Sequence, residues 1–126
     1  MEKRRNLRLP LRISGQLSFG NTAVHQTETC DISLQGALVR YNTGGHVDQK
    51  CVLSLFIVAN RIFSVTFEGW IVYADSRGYG IAFHSTSAED FQAFTEFLQE
   101  HAQNPQAVRR EVHAGQIPHL TAWEIL

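Results

Sequence analysis

From Ile13 to Phe83 the chain is built of short apolar and polar alternations separated by turn residues, a rhythm that admits little besides a sheet of short strands. Ile13-Ser14-Gly15-Gln16-Leu17-Ser18-Phe19 places every second residue on one face, the two-residue period of a half-buried strand. Gly20-Asn21 reads as a turn. A threonine-rich run follows from about Ala23 to Ile32, then an apolar run from Gly36 to Tyr41 with Arg40 as its polar outlet, ended by Asn42-Thr43-Gly44-Gly45. Cys51 to Val58 and Phe63 to Tyr73 form a strongly apolar pair joined by Ala59-Asn60-Arg61-Ile62, and Gly78 to Phe83 closes the set after Asp75-Ser76-Arg77. Six such strands predict a mainly β fold, an antiparallel barrel closed or nearly closed on itself, which also disposes of exposed edges.

At residue 84 the period changes. Ser87-Ala88-Glu89-Asp90 is a helix start, with a hydroxyl to cap and acids near the positive end of the dipole. Phe91, Phe94, Phe97, Leu98 and His101 then fall on one helical face, read as the face that packs on the barrel, and Asn104-Pro105 ends the helix. In the remainder, Gln106 to His113 reads as a short second helix, interrupted by Gly115 and Pro118. Trp123 and Leu126 make the end apolar enough to dock, whether on the barrel, on a second copy in a homodimer or on a partner. The expected division is an arm over 1–12, a barrel plus helix over 13–103 and a tail over 104–126.

A chain of 126 residues suits one domain and leaves no room for a second. The net charge of -1 conceals a split. Residues 1–12 carry Lys3, Arg4, Arg5, Arg8 and Arg12 against Glu2, so the arm is basic and the body acidic, a pattern for meeting a small anion rather than coating a nucleic acid polymer. Cys30 and Cys51 are too few for a disulfide framework, which favours a reducing, cytoplasmic setting. The longest apolar run, Cys51 to Ala59, falls far short of a membrane helix, and the basic start, followed by Pro10, Ser14, Gly15 and Gln16, lacks a signal-peptide core.

Two polar motifs carry the chemistry. In Arg4-Arg5-Asn6-Leu7-Arg8 the guanidinium forks can grip phosphate oxygens in pairs and stack on a purine. Pro10 disfavours a helix at Leu9, so the segment reads as a flexible arm entering the first strand. Taken alone it is also what a solvated basic tail looks like. In Asp31-Ile32-Ser33-Leu34-Gln35-Gly36 alternation puts Asp31 and Ser33 on the same side, where a carboxylate can accept from N1 and the exocyclic amine of guanine and a hydroxyl can add a bond. Gly36 would allow close backbone approach to a ligand or a positive backbone angle. Alone, this motif is equally an Asx or Ser turn between strands.

Together the motifs resemble the paired RxxxR and (D/N)xSxxG signature of PilZ domains, bacterial receptors for the second messenger cyclic di-GMP. The resemblance covers about residues 3–101 and includes the short strands, the late Gly78-Tyr79-Gly80-Ile81-Ala82-Phe83 strand and the helix behind it. It implies a six-stranded antiparallel barrel with a C-terminal helix and a short tail. It further implies that Arg4 and Arg8 hold phosphate and guanine faces, Arg5 is an auxiliary phosphate contact, Asp31 and Ser33 read a guanine edge, and Gly36 leaves it space. The arm of such domains often carries an aromatic residue between its arginines, where this chain has Asn6 and Leu7.

Six histidines, His25, His46, His84, His101, His113 and His119, show no zinc-like spacing, and no phosphate loop, GxSxG or cysteine–histidine arrangement is present. Trp70 reads as core or barrel rim, and Asp75 with Arg77 as a turn pair. The expected function is thus a non-catalytic, cofactor-free receptor that relays cyclic di-GMP binding to an unidentified protein partner in motility, pilus or exopolysaccharide control. The alternative is a PilZ-like interaction adaptor whose tail is the working surface. Nucleic-acid binding ranks last, because Phe56, Phe63 and Phe67 lie in apolar strands with few basic neighbours.

Overall fold

The structure, a computed structural model, describes residues 8–20, 23–41 and 43–101, together with the backbone of 119–120. Six strands, β1 (Ser14–Ser18), β2 (His25–Ile32), β3 (Gly36–Val39), β4 (Lys50–Val58), β5 (Ile62–Asp75) and β6 (Gly78–Thr86), precede helix α1 (Ala88–His101). They pair antiparallel in the order β3-β2-β1-β4-β5-β6, and β3 pairs back onto β6 to close the barrel. A two-residue strand β7 (His119–Leu120) adds to β6 in parallel at Ser85 and Thr86, one strand beyond the six expected. The second helix expected over 106–113, the docking of Trp123 and Leu126, and Asn21 of the first turn lie outside the described residues.

Alternation decides which side chains fill the barrel. Along β4 and β5, Leu53, Leu55, Ile57, Val65, Phe67 and Ile71 point inward and are buried, while Trp70 sits on the outer face, 40% exposed, and so is not core. β6 runs past Phe83 to Thr86, because Thr86 still pairs with Phe67 and its hydroxyl donates to the Thr66 carbonyl at 2.7 Å. Ser87 then caps the helix, its Oγ accepting from the Asp90 amide at 3.0 Å. Asp90 in turn accepts from the Thr66 amide at 2.9 Å, tying the first turn of α1 to the β5 backbone just where pairing with β6 ends. Phe94, Phe97 and Leu98 are the buried face of α1; Phe94 meets the stacked Phe67–Phe83 pair edge-on. Each such side chain taken from water stabilises the fold by roughly 1.5–3 kcal/mol.

The segment entering β1 is stitched to the barrel. Leu9 and Ile32 exchange amide-to-carbonyl hydrogen bonds at 2.8 and 2.9 Å, and Leu9 and Ile13 are buried in the core. The β2 ladder shifts register between Thr29 and Asp31, and Thr29 fills the irregularity: its hydroxyl donates to the Leu11 carbonyl and accepts from the Ile13 amide. The chain is therefore tied to the barrel from Leu9 to Ile13. Among the described residues no helix is long and apolar enough to cross a membrane.

Candidate functional site

The bulge in β2 and the Leu9 bridge bring the two motifs together. Pinning Leu9 against Ile32 leaves Arg8 beside Asp31, and Arg8 Nη1 donates to Asp31 Oδ1 at 2.8 Å across 23 positions of sequence. Both side chains are 26% exposed. The contact is a charge-assisted hydrogen bond at the barrel surface, open to solvent on one side.

Ser33 and Gly36 occupy the β2–β3 turn that follows. The expectation that Asp31 and Ser33 share a strand face needs correction. β2 ends at Ile32, so Ser33 lies beyond the strand in the turn, where it is buried at 1% exposure. Its hydroxyl accepts from the Gln35 amide and donates to the Gly36 carbonyl, both at 3.3 Å, and its amide donates to the same carbonyl at 2.9 Å. This is the serine turn that the motif, read alone, left open. Leu34 is fully buried beneath it, and the Phe83 amide donates to the Gln35 carbonyl at 2.8 Å, so the turn is bolted to β6.

Gly36 is set by barrel closure. Its backbone angle is not positive; instead it pairs with Ala82, and a Cβ there would run into the Ile81 carbonyl oxygen. Only a residue without a side chain lets β3 and β6 meet at this point.

Arg8, Ser33, Gln35 and Gly36 line one wall of a surface depression of about 180 Å³, whose other wall comes from Val72 and Tyr73 of β5 and Gly80 to Ala82 of β6. Arg4 and Arg5 lie outside the described residues. Across the β5–β6 turn Arg77 pairs with Asp75 at 2.8 Å and sits over the Tyr73 ring, 5.5 Å from its centroid. The hydrogen bonds from Arg77 hold the Asp75 carboxyl below its ordinary value and raise that of the guanidinium. Tyr73, Val72, Gln35 and Gly80 carry no motif, and only the alternation of glycines in Gly78-Tyr79-Gly80 marks β6 as unusual in the sequence. A larger depression of about 340 Å³ between α1 and the β4–β5 hairpin is lined by Glu96 and Glu100 as well as Arg61, an acidic balance unsuited to an anion. Among the described residues no cluster of histidine, cysteine and carboxylate side chains could hold a metal.

A barrel of six antiparallel strands closed by β3 on β6, with one helix behind it and a polar depression over the closing seam, defines a small β-barrel domain. The sequence matches the PilZ domain family over residues 2–100, and the chain belongs to that family. No curated protein matches it by sequence. Its fold is similar to that in the structure of the Bacillus subtilis Inhibitor of motility (MotI/DgrA), with a TM-score of 0.64 at 16% identity. The alignment covers 90% of this chain and 53% of that one, so this chain spans about half the length of its structural relative.

Proposed function

We propose that the chain is a non-catalytic cytoplasmic receptor for cyclic di-GMP, bound by Arg4, Arg5, Arg8, Asp31, Ser33 and Gly36, and that binding is relayed to a protein partner as a change in the arm. The observation that carries this reading is the meeting of Arg8 with Asp31 at the edge of the depression that Ser33 and Gly36 line. Membership of the PilZ family supplies the ligand class. Asp31 accepts from a guanine edge while Arg8, beside it, presents its fork to phosphate or to the purine face. Ser33 acts through the turn it holds, which fixes the backbone around Gln35 and Gly36.

Size and charge assign the rest. About 180 Å³ is below the roughly 300–1,000 Å³ of a site that engulfs a drug-sized ligand, so the depression takes one base and the arm covers what remains. Arg8 is already balanced by Asp31 and Arg77 by Asp75. Two phosphates therefore need further cations, and Arg4 and Arg5 of the same motif supply them. Isothermal titration tests the reading: wild type gives binding heat with cyclic di-GMP and not with GTP or cyclic GMP. Arg8→Ala and Asp31→Ala lose it while circular dichroism remains that of a folded barrel. Absence of heat with wild type would sink the proposal.

A further inference from the structure

We infer that the tip of the β4–β5 hairpin, with the two hollows that flank it, is a contact surface for a second copy of this chain. The inference is independent of the receptor reading, because it uses none of the residues of the candidate site.

The outer face of β4 and β5 changes character along its length. Near mid-strand it carries Ser54 and Thr66, whose hydroxyls share a hydrogen bond at 3.0 Å, as suits a wall facing water. Toward the tip the same face carries Phe56, Val58 and Ile62, which are 41%, 75% and 79% exposed, and Val58 and Ile62 are direct cross-strand partners. They form one apolar knob at the end of the hairpin, where charged or polar residues ordinarily guard against association. On the β4 side of the tip is a hollow of about 280 Å³ walled by Leu11, Ile13, Ile57 and Phe97. An apolar cavity of about 150 Å³ already holds a benzene, so this hollow has room for side chains of such a knob. On the β5 side, Arg61 forms one wall of the depression of about 340 Å³, and Glu96 and Glu100 of α1 form the other. All three are exposed. Arg61 lies over the Phe63 ring, 4.6 Å from its centroid, and makes no ion pair among the described residues. Knob and hollow, cation and acids, thus occur together on one face, and self-complementarity of that kind is what a two-fold contact between identical chains requires. The net charge of -1 leaves little long-range repulsion between copies. In the dimer, Val58 and Ile62 of each copy enter the apolar hollow of the other, and each Arg61 faces the other copy's Glu96 and Glu100.

The test is sedimentation equilibrium of the full chain from about 10 μM to 1 mM, a range that covers weak association. The average mass of wild type is expected to rise with concentration toward twice that of the monomer. Ile62→Asp puts a charge into the knob and should weaken association at least about tenfold, with circular dichroism unchanged because the side chain is largely exposed. Charge reversal tests the arrangement without touching the apolar contact. Arg61→Glu alone, and the double variant Glu96→Lys with Glu100→Lys alone, each set like charges against one another across the dimer and should weaken it at least about fivefold. An equimolar mixture of the two restores opposite charges at both contacts and should associate within about threefold of wild type. Wild type that stays monomeric at 1 mM overturns the inference. Association as strong in Ile62→Asp as in wild type places the contact elsewhere and overturns it too. A mixture no tighter than its separate components also overturns it, since the charges would then act within one copy rather than between two.

Discussion

Replacing Gly36 by alanine separates two reasons for the glycine. If the residue serves only to leave room for a ligand, the unliganded variant is as stable as wild type. If it serves barrel closure, stability falls without any ligand. At this position a Cβ would press on the Ile81 carbonyl oxygen, with the Ile81 carbonyl carbon at 3.4 Å and the Ala82 Cα at 3.6 Å. These are backbone atoms of a strand paired on both sides, so none can swing away as a side-chain terminus would. Forcing an extra carbon into such packing costs about 1–3 kcal/mol, and the lower entropy of the unfolded alanine chain returns roughly 0.4–1 kcal/mol. The net loss is about 1–2 kcal/mol, which at roughly 4–8 °C per kcal/mol lowers Tm by about 5–15 °C for a domain of this size. Thermal unfolding of the apo protein followed by circular dichroism measures it. A Tm within about 2 °C of wild type would refute the closure argument. Because the Gly36 carbonyl accepts from both the amide and the hydroxyl of Ser33, displacement at the seam also loosens the turn. Loss of ligand binding by Gly36→Ala is therefore not proof of a direct contact.

The helix cap and the two thiols offer simpler tests. Ser87→Ala removes the acceptor of the Asp90 amide and should cost about 1 kcal/mol, measured by urea unfolding; an unchanged midpoint would argue that the cap is replaced by solvent. Burial in the barrel pushes the Cys51 thiol up to about 12 from 9.0, whereas Cys30 is only half-buried. A thiol reagent at pH 8 should modify one cysteine in the native protein and both in denaturant. The sign of the linkage follows from the raised value. Between about pH 9 and 12 the unfolded chain has released the Cys51 proton and the folded chain has not, so stability falls as pH rises through that window. Cys51→Ala should flatten the fall, and an unflattened curve would assign it to other groups.

The barrel was legible because burial and strand period coincide. Leu53, Leu55 and Ile57 alternate in the sequence as they do about the wall, and the change of period at residue 84 is where chain direction and element type change soon afterward. The strand ends were less legible: β6 continues to Thr86 through pairing with β5, which no local pattern encodes. In the candidate site, the types and spacing of Asp31, Ser33 and Gly36 were readable, but the geometry that separates Asp31 from Ser33 was not. That geometry arises because β2 ends at Ile32 and Ser33 is held in the following turn by hydrogen bonds to Gln35 and Gly36. That both Val72 and Tyr73 line the depression was unreadable for another reason, since a bulge depends on partner strands and leaves β5 looking like any apolar run. Long-range backbone pairing thus sets most of what alternation alone misassigns.

The Arg8–Asp31 pair has a further consequence for binding. Each group is the other's partner at 2.8 Å, and Leu9 is locked to Ile32 beside them, so a ligand bound as proposed must share or exchange an existing contact. In the proposed receptor, binding is a competition in which Asp31 plays two opposed parts, accepting from guanine and drawing Arg8 away from phosphate. Asp31→Asn removes the second part along with much of the first. For cyclic di-GMP the lost charged acceptor dominates, because hydrogen bonds to ionised groups are worth about 1.5–3 kcal/mol, and affinity should fall roughly tenfold or more. For cyclic di-AMP, which offers the same phosphates without the guanine edge, the released Arg8 dominates, so Asp31→Asn should bind it no more weakly than wild type does. Competition titrations of both nucleotides on both proteins decide the matter. Equal weakening for the two ligands would show that Asp31 acts by holding the site together, and the exchange account would fail.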